Sequence, residues 1–301
     1  DILQAMRNVW TTNGLQLLLG LPVQLTPAIF AYSVLYPYSD NYLDDSSVPA
    51  QTKMAFNERF GRRVAGEKIA PTNVHERTIC DLVGMIEGQY ERTCHPQVFD
   101  SLLAIHHAQV KSVGLLHHNG SPYEVDVLGI SFEKGGTSVL ADGYLVAGSL
   151  TDAQAEFMFG YGAFLQLVDD LQDVQRDSQD GLLTVFSQTA RHWLLDGLTD
   201  HTFHFGRRVL ERLNCFEALG VEPLKELMIM SAGMLLIDAA GRAGRLYSRR
   251  YLQELEAHSP FRFSFLSKCH KKLASQRVSL IGLIERFATL PDAEPYHVRN
   301  D

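Results

Sequence analysis

Phe164-Leu165-Gln166-Leu167-Val168-Asp169-Asp170-Leu171-Gln172-Asp173 is the stretch on which the fold turns. Around it, between residues 153 and 177, apolar residues fall at Phe157, Phe164, Leu165, Val168 and Leu171. Steps of three, four and seven are the period of a helix with one buried face, not the alternation of a strand. On such a helix Asp169, Asp173 and Asp177 stack in an i, i+4, i+8 row. Like charges at that spacing repel by a few tenths of a kcal/mol per pair. A row of them beside an apolar run therefore calls for a counter-charge.

The same period recurs outward in both directions, at Met228–Ile237 and Leu280–Phe287 for example, and strand-like alternation is nearly absent. Prolines and glycine joints punctuate the chain. They predict about ten helices, near 2–20, 23–45, 50–69, 75–93, 97–118, 123–150, 152–178, 188–213, 222–256 and 262–289. No internal repeat or Pro/Ser-rich linker divides them, so the expectation is an all-α fold with residues 1–301 as one domain. Gly135-Gly136 is expected to break or bend its helix.

A second acidic cluster lies 129 residues before Asp169, in Asp40-Asn41-Tyr42-Leu43-Asp44-Asp45. Asp40 and Asp44 share a helix face. Hard divalent cations are the natural counter-charge for paired carboxylate rows, since Mg²⁺ takes oxygen ligands and is held by one or two carboxylates together with substrate phosphates. Neither cluster has the alternating order of a calcium loop.

Composition narrows the classes. The 301 residues carry 27 Lys+Arg against 35 Asp+Glu, a net charge of −8, with 46% hydrophobic and 21% charged residues. That is too apolar for a disordered chain. The acidic balance argues against a nucleic-acid partner, which needs a cationic face. Eight aspartates (40, 44, 45, 169, 170, 173, 177 and 180) sit in the two clusters, and the remainder balances at 27 basic and 27 acidic residues. The negative charge is thus local. Four scattered cysteines without a C-x-x-C pair read as reduced thiols, and the expected location is the cytoplasm. Residues 8–39 contain no charged residue, but Gln16, Pro22, Gln24, Thr26 and Pro27 interrupt the apolar run. A membrane span needs about 20 consecutive apolar residues, so buried core helices are expected here and no stable membrane insertion. The pairs His106-His107 and His117-His118 lack an acidic partner and read as exposed or core histidines.

The quoted stretch, with Lys134-Gly135-Gly136-Thr137, Ala147-Gly148 and Phe159-Gly160-Tyr161-Gly162 before it, resembles the second aspartate-rich region of trans-polyprenyl diphosphate synthases. Asp40–Asp45 is similar to the first motif, with Asn at its second place. The resemblance is to the class I isoprenoid synthase superfamily, and it covers residues 130–185 best. It implies a helical bundle around a deep apolar cavity, with the two acidic motifs facing each other across the mouth. It further implies three Mg²⁺ ions on Asp40, Asp44, Asp45, Asp169, Asp170 and Asp173, of which Asp40, Asp44, Asp169 and Asp173 would be catalytic. Diphosphate would be gripped by Lys134 and by Arg249, Arg250 and Tyr251, the Arg-Tyr pair resembling one in bacterial terpene cyclases. Tyr36, Gly135, Gly136, Tyr161, Phe164 and Gln166 would line the cavity or stabilise a carbocation. A homodimer is the expectation for such a family.

The segments by which elongating transferases hold isopentenyl diphosphate are missing. Asp45 is followed by Ser46-Ser47-Val48-Pro49, and the first 39 residues hold one basic residue, Arg7. The expected function is therefore a terpene synthase, ionising and cyclising a linear C15–C25 prenyl diphosphate, C20 foremost. The alternatives are a prenyl transferase, including head-to-head coupling of the squalene type, and a non-catalytic isoprenoid-binding helical protein.

Overall fold

The computed structural model describes residues 2–44, 47–115 and 124–273, without the side chains of residues 2–4, 7, 44 and 50. Helices follow one another as α1 (Ile2–Leu18), α2 (Pro27–Asp44), α3 (Ala50–Val64), α4 (Val74–Gln89), α5 (Pro96–Val113), α6 (Val127–Ala147), α7 (Asp152–Gln172), α8 (Val174–Asp180), α9 (Val185–Ala190), α10 (Asp196–Leu210), α11 (Glu222–Arg242) and α12 (Arg249–Ala257). Residues 263–273 are also helical, and no β-strand occurs among the described residues. The fold is an all-α bundle. By its contacts the chain forms a first unit, Asp1–Ser248, and a second, Arg249–Asp301.

Local chemistry sets the ends of the helices that carry the acidic motifs. The Thr151 side chain accepts from Gln154 N–H, and the Gln154 side chain returns the bond to Thr151, a reciprocal cap that starts α7. Asp126 caps α6 by accepting from Gly129 N–H at 2.8 Å. Gly148 ends α6 in the left-handed region, φ 72°, where glycine carries no Cβ penalty. Pro37 lies inside α2 and removes one backbone donor a turn before Asp40.

The uncharged N-terminal stretch forms core in part, while Trp10, Leu17, Val23, Leu25 and Phe30 are exposed. Leu15, Leu18, Ile29, Ala31, Tyr32 and Leu35 are buried. Gln16 folds its amide back on the α1–α2 connection, donating to Gln24 C=O at 2.9 Å and accepting from Gln24 N–H at 3.1 Å. Among the described residues no helix is long and apolar enough to cross a membrane. A cluster on α2–α5, including Phe56, Phe60, Val83, Ile86 and Phe99, packs with Ala141 and Leu145 of α6. Each such fully buried side chain contributes roughly 1.5–3 kcal/mol.

Four expectations about helices change. The segment expected at 188–213 is divided between α9 and α10 by residues 191–195. The α6 helix runs unbroken through Gly135-Gly136. These glycines permit close packing: a Cβ on Gly135 would stand 2.5 Å from the Gly162 carbonyl oxygen of α7. The segment expected at 152–178 is divided at Asp173, which takes φ −98°, ψ 5° between α7 and α8. The segment expected at 222–256 is divided between α11 and α12. The apolar run at Leu280–Phe287 and the pair His117-His118 lie outside the described residues.

Candidate functional site

Two aspartates from opposite halves of the sequence meet at one pocket. Asp40, near the end of α2, and Asp170, near the end of α7, both line it, with Lys134 and Ser131 of α6 and Gln166 of α7. Its volume is about 130 Å³, and Leu43, Val113, Ile130 and Leu183 supply apolar wall between the polar groups. The α6–α7 seam allows this, because glycine-to-glycine approach carries Lys134 and Ser131 up to the acidic end of α7.

Asp170 is the buried member of the pair. Gln166, one turn earlier, donates to its Oδ1 at 2.8 Å, and the Ser131 hydroxyl donates to Oδ2 at 3.3 Å. Burial pushes its pKa up to about 6, Asp169 adds to the rise, and the two donors and Lys134 oppose it. Asp177 on α8 is pushed higher, to about 7, first by burial and then by Asp170 and Asp173. Four carboxylates thus crowd the α7–α8 joint. Asp40 takes a long bond, 3.4 Å, from the Gln109 amide of α5.

The expectation of three bound Mg²⁺ ions is corrected. Among the described residues no three His, Cys, Asp or Glu side chains converge so as to hold a metal ion. Two of the expected ligands show a physical reason. Asp170 already spends both oxygens on Gln166 and Ser131. Asp173 sits at the helix break within 3.8 Å of Arg176, which also reaches Asp180 at 3.7 Å. Asp45 and the Asp44 side chain lie outside the described residues.

The other expected site residues fall in several places. Tyr36 lies one turn below Asp40, with its ring 6.3 Å from that of buried Tyr32. Tyr161 stacks on Phe157 at 5.5 Å, and burial raises its phenol pKa. Phe164 is fully buried, its ring pressed against Gly206 of α10. Arg249, Arg250 and Tyr251 open α12 in the second unit, where Arg250 pairs with Glu254 at 2.8 Å. His106 is a core histidine, edge-on to Phe60 at 4.8 Å and pushed down to about 4 by burial, whereas His107 is exposed.

Gln109, Ser131, Leu183 and Thr184 belong to the pocket without having been singled out in the sequence. No local signal marks them, whereas Gln166, expected at the cavity from the resemblance, does line this pocket. Compared with known proteins, the chain matches no family model, no curated protein and no solved structure.

Proposed function

We propose that the protein is an isoprenoid synthase of the terpene-synthase type, ionising a linear prenyl diphosphate and cyclising the resulting allylic cation, which then loses a proton to the released diphosphate and leaves as a neutral hydrocarbon. The observation that carries this reading is the meeting of Asp40, Lys134 and Asp170 at one pocket although they come from α2, α6 and α7. Lys134 supplies positive charge for a departing diphosphate oxygen. Asp170, with a pKa of about 6, exchanges a proton close to neutrality and suits general-acid assistance to the same oxygen. The pocket accommodates the head group. The chain would enter past Leu43, Val113 and Ile130, where apolar wall keeps water from the cation.

The test is incubation with C10, C15, C20 and C25 prenyl diphosphates, with and without chelator, followed by mass spectrometry of a hexane extract and assay of released diphosphate. Asp40→Ala, Lys134→Ala and Asp170→Ala are each expected to lower turnover at least a hundredfold with the helical circular-dichroism spectrum kept. Full turnover in Asp170→Ala removes its role as acid. A longer diphosphate formed on adding isopentenyl diphosphate identifies a transferase instead. Substrate binding without diphosphate release identifies a binding protein.

A further inference from the structure

A larger cavity lies elsewhere in the first unit. It encloses about 520 Å³ between α6, α7 and α10 and shares no lining residue with the acidic pocket. That volume is within the range of ordinary small-ligand sites, about 300–1,000 Å³. Its walls are aromatic and aliphatic. Phe132 of α6 stacks on Phe205 of α10 at 5.1 Å and 15°. Gly136 admits the ring of Phe159, since a Cβ there would stand 2.6 Å from it. Ala155 and Ala163 of α7 leave the space between these rings unfilled.

The rim is charged. Arg208 and Arg212 line the cavity together with Glu156. The Arg212–Glu156 pair, 2.8 Å, is solvent-exposed on both sides, and such pairs contribute little. Arg208 stands 3.9 Å from Glu211, a pair equally open to solvent. Both guanidinium groups can exchange these partners for another anion, so an apolar interior bordered by them suits a ligand with a hydrocarbon body and one anionic end. Guanidinium binds carboxylate and phosphate alike in a bidentate manner.

We propose that this cavity is a second ligand site, taking a single aliphatic or isoprenoid chain that ends in a carboxylate or phosphate. The site is independent of the acidic pocket and of the function proposed for it.

The experiment uses the full chain and three probes that are not prenyl analogues: dodecanoate, dodecyl phosphate and dodecanol, each titrated by calorimetry. At least one of the two anions is expected to bind with one equivalent, and the tighter of them identifies the natural head group. Ala155→Trp, which fills the cavity from a half-buried position, is expected to abolish binding of all probes. Arg208→Ala with Arg212→Ala, both exposed, is expected to weaken the anions about tenfold and dodecanol less than twofold. Asp40→Ala is expected to leave this binding unchanged, which separates it from the acidic pocket. Failure of both anions to bind overturns the proposal. So does binding that survives Ala155→Trp, or loss of dodecanol equal to loss of the anions on removing the arginines.

Discussion

Asp142 is the most isolated ionisable group in the core. It is 3% exposed on α6, and its Oδ1 has no hydrogen-bond partner. Burial alone drives its pKa well above the carboxylate range, so the folded protein holds it as the neutral acid. The unfolded chain releases that proton above about pH 4. Folding therefore takes a proton up, and stability falls as pH rises. Asp142→Asn keeps the shape and removes the proton uptake. It is expected to stabilise the protein, with a larger gain at pH 8 than at pH 4.5, as read by urea denaturation at the two pH values. An equal effect at both would mean that the carboxyl group is ionised in the fold. No pattern in the sequence marks this residue, because a lone aspartate between Ala141 and Gly143 looks the same whether it faces solvent or core.

Helices teach a related lesson through their glycines. A Cβ at Gly162 would collide with the Gly135 backbone across the α6–α7 seam, while one at Gly84 in α4 would meet nothing within 4 Å. Gly162→Ala is expected to cost about 1–3 kcal/mol or more through overpacking, and to part the seam that delivers Lys134 to the pocket. Gly84→Ala is expected to gain about 0.5–1 kcal/mol from helix propensity. Thermal melts of the two variants check both signs. The contrast also explains what was legible beforehand. Apolar spacing located nearly every helix, since periodicity is a local property of the chain. The aspartate clusters do fall near the ends of α2 and α7, but the row expected on one helix is split, with Asp173 at the break and Asp177 on α8. The sequence could not say whether Gly135-Gly136 broke a helix or let one approach another, because the answer lies in Gly162, 27 residues away. Nor could it say that Asp170 turns inward to Gln166 and Ser131, and that inward turn is part of why the expected metal cluster does not assemble.

At the scale of the whole molecule the acidic and buried carboxyl groups set a pH window for stability. Glu76 is held down at about 2, chiefly by Arg59, whose Nε lies 2.8 Å away, with Thr72 adding bonds. Its depressed pKa contributes stability that is complete above about pH 4.5 and lost as pH falls through about 2. Asp170 at about 6 and Asp177 at about 7 act in the opposite sense. Their folded pKa values lie above the unfolded ones, so the stability they allow is complete below about pH 3.8 and lost as pH rises through about 7. The two sets oppose each other: Glu76 and the buried His106 favour the fold towards neutral pH, while Asp170 and Asp177 favour it towards acid pH. Melting temperature followed from pH 2 to pH 8, for the wild type and one variant of each set, separates the two contributions. Asp177→Asn should flatten the neutral side, recovering on the order of 2–4 kcal/mol at pH 8 and almost nothing at pH 4. Glu76→Gln should lower stability at pH 5 and above while leaving pH 2 nearly unchanged.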